Sequence, residues 1–341
     1  MLLSTLNDSL IWTKEMSDAA QSAPDTGNRL MNFPITFYAI TMGLFGLTLA
    51  LHAASRVLEW VGPFSNAMFW VSLAVFVMIT IGYAAKTMVY PAAFKAEWHH
   101  PIRATFFPAA SISLLLMSIT FLPENAGIAN ILWTIGAVLQ GFLTLAIIGR
   151  WIGHKPFEYS HINPAWFIPA VGNVVVPIAG AQLGYTEVSW LFFSGGLIFW
   201  IILLTLVMNR LIFHTPLPGK LLPTLVIMIA PPAIAFISYL QLNGGIDTFA
   251  HILLNLGYVF ALIVLTQIPR IAKLPFAMSF WALSFPVASL TIASFRYGAL
   301  AKSQAHETIG ILLLAVLVVL ITVLALRTLL AIIRGQICLP E

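Results

Sequence analysis

Apolar runs of membrane-crossing length follow one another along this chain, with only short polar connections between them. Reading runs of roughly 17 to 25 residues as spans predicts ten helices, near 35–53, 66–90, 104–122, 126–149, 166–183, 188–209, 221–242, 248–268, 276–298 and 308–333. The runs are of two alternating kinds. Those beginning FPITFYAITMGLFGL at Phe33, HPIRATFFPAASIS at His100, NPAWFIPAVGNVVVPIAG at Asn163, LPTLVIMIAPPAIAF at Leu222 and LPFAMSFWALSFPVAS at Leu274 carry a proline or glycine break near mid-run. The runs between them have no internal proline. Helix breakers at membrane depth are tolerated where the freed backbone is buried in protein or lines a water-filled cavity, so the broken set belongs inside and the smooth set outside. One proline in a membrane helix says little; the regularity says more. Pro34, Pro101, Pro164, Pro223 and Pro275 stand at or near the starts of odd spans, and Pro108, Pro169, Pro177, Pro231, Pro232 and Pro286 fall within them. Five helical hairpins, each a bent inner helix followed by a straight outer one, generate this pattern and suggest a pore.

Composition fixes the class: 60% of residues are hydrophobic and 8% charged, against about 25% charged in a soluble domain. The chain reads as an all-α integral membrane protein with one domain, residues 33–334, between a cytoplasmic N-terminal tail, 1–32, and a short C-terminal tail, 335–341. The first tail is polar, with Asp8, Glu15, Asp18 and Asp25. It lacks the basic start and apolar core of a secretory signal and is expected to carry a short interfacial helix around Leu10 to Trp12. A net charge of +4 raises nucleic acid as a partner, and the placement of the charges dismisses it. Of 16 Lys and Arg residues, all but Arg56, Arg296 and Lys302 fall on one side of the ten-span layout. That bias puts both termini in the cytoplasm and the protein in the cytoplasmic (inner) membrane. Cys338, the single cysteine, offers neither a disulfide framework nor metal-ligand spacing; it reads as an inert thiol rather than an acylation site.

No Asp, Glu, His or Lys is expected at mid-depth, where a proton-driven transporter places its relays. Lys86 and Arg327 lie close enough to the cytoplasmic ends to snorkel, and Arg296 lies near the outer end of the ninth span. The eight histidines sit at span ends or in loops, so no haem, metal or other cofactor is expected. With no catalytic cluster, neither is an enzyme. A passive conduit is favoured. The odd spans offer Thr41, Thr105, Ser111, Asn173, Ser284 and Ser289 but no ring of charge, and such a pore favours anions that dehydrate easily. Lys86 and Arg103, near the cytoplasmic mouth, either concentrate anions there or only obey the positive-inside rule; both readings stand.

HPIR at 100–103, PAWFIPAVGN at 164–173, IAPPAIAFISYLQLNGGIDT at 229–248 and WALSFP at 281–286, in that order and spacing, resemble the tellurite-resistance and slow-anion-channel family. That family comprises TehA-like bacterial proteins and plant guard-cell S-type anion channels, and the resemblance covers about residues 33–335. It implies ten helices in five quasi-symmetric hairpins, kinked odd-numbered helices around a central pore, and a homotrimer with one pore per protomer among membrane lipids. It also implies a gated route for small anions of the chloride or nitrate kind, with Phe285 as the gate. Depth agrees: ten residues beyond Pro275, at 1.5 Å each, place Phe285 about 15 Å into the membrane. The pore-lining and kink candidates are Thr41, Gly43, Gly46, Pro108, Pro169, Asn173, Pro177, Pro231, Ser284 and Pro286. Two departures bear on the bends: Thr41 stands where TehA has a mid-helix proline, leaving Gly43 and Gly46 to permit the bend, and Pro286 replaces TehA's glycine. The alternative is a permease or exporter of the same fold for C4-dicarboxylate, sulfite or tellurite, which a saturable flux without unitary currents would reveal.

Overall fold

The structure is a computed structural model that describes residues 28–153 and 157–339. The helix expected around Leu10 to Trp12 lies outside them. Among the described residues every regular element is helical. Ten helices dominate: α1 Tyr38–Ala54, α2 Gly62–Val89, α3 Pro108–Phe121, α4 Ala126–Ile152, α5 Phe167–Gly180, α6 Thr186–Phe213, α7 Ala230–Asn243, α8 Thr248–Leu265, α9 Ser284–Ala301 and α10 Gln304–Ile333. With their lead-in turns, 9 of these are long and apolar enough to cross a membrane, and the segment containing α5, Pro164–Gly180, is a shorter apolar helix. The chain is a multi-pass membrane protein.

Burial separates the two kinds of helix. In α1, α3, α7 and α9 with their lead-in turns, 72–89% of the most apolar window is buried, and in the even-numbered helices 22–44%. Every residue of α5 is buried. Met78, Leu145, Leu191 and Val319 are among the large apolar side chains that the even helices expose, the reverse of a soluble surface and the expected face toward lipid. Each odd helix packs on the even helix that follows it, and the odd helices touch one another in the circuit α1, α3, α5, α7, α9 and back to α1.

The mid-run breaks take a form that the sequence pattern did not anticipate. Each odd helix is led in by a 3-10 segment: Ile35–Phe37, Arg103–Phe106, Pro164–Trp166, Gly219–Ile229 and Met278–Leu283. Pro108 opens α3, and Pro169, Pro231, Pro232 and Pro286 lie within the first three residues of their α-helices. There a missing N–H costs nothing, because those donors have no partner within the helix. Most breaks are therefore junctions where 3-10 winding relaxes to α. Pro177 stands inside an α-helix, and donors from adjacent helices reach the carbonyls beside it. Trp133 Nε1 donates to the Val176 carbonyl at 2.9 Å, and the Ser238 hydroxyl donates to that of Val174. α1 is continuous through Gly43 and Gly46, and their missing side chains let α9 approach. A Cβ on Gly43 would collide with Ser284 Oγ, and one on Gly46 would lie 2.9 Å from the Ala288 Cβ.

Where the helix pairs end on the side rich in basic residues, three cations fasten the chain leading into the inner helix to the end of its outer partner. Lys86, in the last turn of α2, donates to the Phe33 carbonyl at 2.8 Å. Arg150, in the last turn of α4, donates to the carbonyls of Trp98 and His99. Arg210, in the last turn of α6, reaches those of Ser160 and Ile162. In the α9–α10 pair a neutral bond takes this place, from Trp281 Nε1 to Thr328 Oγ1 at 2.9 Å. Lys86 does not snorkel. Its side chain is 4% exposed and pairs at 2.7 Å with Glu97, itself 2% exposed, from the short helix Pro91–His99.

Two of the motif stretches, 164–173 and 229–248, prove to contain joints. Asn163 caps the turn into α5 by accepting the Ala165 N–H, and Trp166 stacks on Trp151 at 4.5 Å. In the loop from α7 to α8, Gly244 takes the left-handed backbone (φ 78°), and Asp247 accepts the Tyr239 hydroxyl at 2.6 Å and the Ala250 N–H at 2.9 Å. These bonds hold the Asp247 carboxyl below its ordinary pKa, the Tyr239 hydroxyl contributing most. Past α10, burial pushes the Cys338 thiol up against the opposing pull of Arg29 and Lys86, leaving less of the reactive thiolate.

Candidate functional site

Two cavities lie in line within the circuit of odd helices, and Phe285 belongs to the wall of both. The wider encloses about 620 Å3 and takes its inner wall from Gly46 and Leu49, Leu116 and Ile119, Ile178, Ile234 and Ile237, and Ala288, Ser289 and Ile292. The narrower, about 30 Å3, is lined by Ala39 and Met42, Phe106, Ala109 and Ile112, Ile168 and Val171, Ile227 and Ala230, and Trp281, Ala282 and Pro286. Every odd helix, with its lead-in turn, contributes to both. In each, the earlier residues line the narrow space and the later ones the wide space, so the five run parallel along one axis.

Phe285, in the first turn of α9 and 6% exposed, is common to the walls of both cavities. Its seat is Gly46: a Cβ there would come within 3.7 Å of the Phe285 ring and closer still to Ala288. Below the ring, the narrow space holds on the order of one water molecule by volume. Its lining is apolar, and the one indole N–H there, on Trp281, is engaged by Thr328. An anion entering would lose hydration without a donor in exchange, the condition for closure by a hydrophobic constriction.

Of the residues singled out from sequence, Gly46, Phe285, Pro286 and Ser289 line these spaces. Thr41, Gly43, Pro108, Pro169, Asn173, Pro177, Pro231 and Ser284 are buried between helices and are absent from both walls. Thr41 Oγ1 bonds to Ser113 Oγ at 2.6 Å across α1 and α3. Asn173 Nδ2 donates to Thr144 Oγ1 at 3.0 Å and to the Pro169 carbonyl at 2.9 Å, and Gln140 Nε2 donates to the same carbonyl at 2.9 Å. These polar groups join α4 to α5 and do not face the path. Ser284 Oγ returns to the Trp281 carbonyl at 2.6 Å in the gap beside Gly43. Lys86 is spent on Glu97. At the turn into α3 the backbone N–H of Arg103 donates to His100 Nδ1 at 3.2 Å.

The sequence reading missed the wide cavity's polar rim. His52, Arg56, Glu124, Gln182 and Arg296 line it, with Asn66 and Trp70 from α2. The signal for Arg296 was present: along α9, Phe285, Ala288, Ser289, Ile292, Phe295 and Arg296 recur at helical spacing on one face, so Arg296 stands three turns above Phe285 on the same side.

The fold and the site define a helical, multi-pass membrane protein with two cavities, one wide and one narrow and apolar, to which all five inner helices contribute. The chain belongs to the SLAC1 family, described as voltage-dependent anion channel, which it matches over residues 32–329. It is 30% identical to a tellurite resistance protein TehA homolog of Haemophilus influenzae over 82% of this chain and 86% of that one. It is 28% identical to the S-type anion channel SLAH2 of Arabidopsis thaliana over 79% of this chain and 53% of that one, and 26% identical to the guard cell S-type anion channel SLAC1 of the same plant over 92% and 58%. The matched region thus spans little more than half of the plant relatives. This is a family of channels and transporters rather than of enzymes, and membership supports anion transport.

Proposed function

We propose that the chain is a gated channel for small anions of the chloride or nitrate kind, with Phe285 as its gate. The observation that carries this reading is the position of the Phe285 ring, in the common wall of two cavities to which all five inner helices contribute. The five helix pairs then form hairpins around the pore, with the odd helices as its wall and the even helices toward lipid. The wide cavity faces outward, and both termini lie on the cytoplasmic side of an inner membrane, an orientation that the bias of basic residues supports. Assembly as a homotrimer with one pore per protomer is carried over from the family resemblance.

Discrimination would come from the cost of dehydration at the constriction, which is lowest for large, weakly hydrated anions. Truncating Phe285→Ala deletes the plug and joins the two cavities, so anion conductance in planar bilayers should rise well above that of the unaltered protein. Phe285→Leu, which keeps much of the apolar bulk, should raise it less. Unitary currents under chloride and nitrate gradients would separate a channel from a carrier with saturable flux. A Phe285→Ala protein that folds yet conducts no better than the unaltered one would remove Phe285 from the gate.

A further inference from the structure

Most polar groups on the wall of the wide cavity have already placed their hydrogens. Ser65 donates to the Thr48 carbonyl, Thr48 to Leu44, Thr120 to Leu116 and Ser289 to Phe285. Gln182 places its amide on the Ile178 carbonyl. The guanidinium groups of Arg56 and Arg296 differ: among the described residues neither has a hydrogen-bond acceptor or an ion-pair partner. Arg56 is exposed at the rim, and Arg296 is half-buried on the face of α9 that continues down to Phe285. The two lie close enough to act on one another, and both act on His52, with Glu124 opposing them.

A half-buried guanidinium facing a like charge is costly unless a counter-ion joins it, because its lost hydration is otherwise uncompensated. With Arg56 and Arg296 cationic, Glu124 anionic and His52 neutral, the four groups carry one net positive charge, which a single monovalent anion balances. The cavity's 620 Å3 holds on the order of twenty water molecules, so an anion can sit there with much of its hydration intact. The next space along the path has room for about one.

We propose that Arg296, assisted by Arg56, forms a binding site for a small monovalent inorganic anion in the wide cavity, loading anions on that side of Phe285. The loading role rests on the reading of the path as an anion route; the site itself does not. A charged cleft of this kind raises the local concentration of its counter-ion by about tenfold or more.

Trp70 shares the cavity wall and reports on it. The fluorescence lost in a Trp70→Phe variant isolates its emission, and quenching by iodide is compared with quenching by neutral acrylamide. The Trp70 component should be quenched several-fold more steeply by iodide than by acrylamide. Arg296→Gln should abolish that excess while leaving acrylamide quenching unchanged, Arg56→Gln should reduce it, and Arg296→Lys should largely retain it. An excess that is missing from the unaltered protein, or that survives Arg296→Gln, overturns the site. In the Phe285→Ala background, Arg296→Gln should lower flux from the wide-cavity side at low anion concentration by about tenfold. An iodide excess of the expected form in a Phe285→Ala protein that carries no current would keep the site and refute the channel.

Discussion

Replacing Lys86 by methionine preserves the length and apolar stem of the side chain and deletes its charge. The amine now makes two bonds, 2.7 Å to Glu97 Oε2 and 2.8 Å to the Phe33 carbonyl. Removing it leaves a carboxylate 2% exposed with two donors remaining, the Tyr83 hydroxyl at 3.0 Å on Oε2 and the Ile35 N–H at 2.8 Å on Oε1. Stranding one member of a buried ion pair costs about 3–5 kcal/mol. Glu97→Gln strands the amine instead, although its amide oxygen can still accept from Ile35, so its cost belongs near the lower end of that range. The double variant, Lys86→Met with Glu97→Gln, leaves no buried charge unpaired. It should cost no more than either single change, so the coupling should be about 3 kcal/mol or more, at or above the top of what contacting residues give in a cycle. Reversible unfolding of the protein in mixed micelles, titrated with a denaturing detergent, measures all four corners of the cycle. Two results would refute the reasoning: a Lys86→Met cost under about 1 kcal/mol, which is the worth of an exposed pair, or costs that simply add.

Because one side of the Phe285 ring looks into cavities, Phe285→Ala should lose less stability than the roughly 3–5 kcal/mol of a fully packed phenylalanine, measured in the same micelles. Gly46→Ala sets a methyl group 2.9 Å from the Ala288 Cβ; the overpacking should cost about 1–3 kcal/mol, and Gly46→Ala with Ala288→Gly should recover most of it. For Asp247 the folded pKa is depressed from 3.8, so its contribution is present above that value and is lost as pH falls through the lower folded value. The acid limb of thermal stability should therefore flatten in both Asp247→Asn and Tyr239→Phe, and an unchanged limb would rule the contact out as its source.

The inner and outer sets of helices were legible because proline marks them in a strict alternation that a single chain can display. The 3-10 lead-in turns were not: Gly219–Ile229 has the apolar composition of an α-helix, and nothing in that composition marks the tighter winding. Lys86 was misread because a lysine near a span end can snorkel or turn inward. The sequence separates these outcomes only through Glu97, which meets it from a separate short helix. Asn173 had the same ambiguity between path and interface, and its partner Thr144, one turn beyond Gln140 on α4, was the missing clue. Phe285 was found through its motif and depth, and Arg296 was legible by counting three turns on from it, a step that was not taken.

In three of the helix pairs, the bonds that join the end of the outer helix to the chain leading into the inner one have a consequence for how the protein enters a membrane. Phe33 with Lys86, Trp98 with Arg150, and Ser160 with Arg210 are each separated by about fifty residues, roughly the length of a single pair. Each of these three pairs can thus satisfy its own bared carbonyls once its second helix has emerged, without waiting for sequence that the ribosome has yet to translate. Assembly can then proceed two helices at a time, and the ring need close only once, when α9 meets α1.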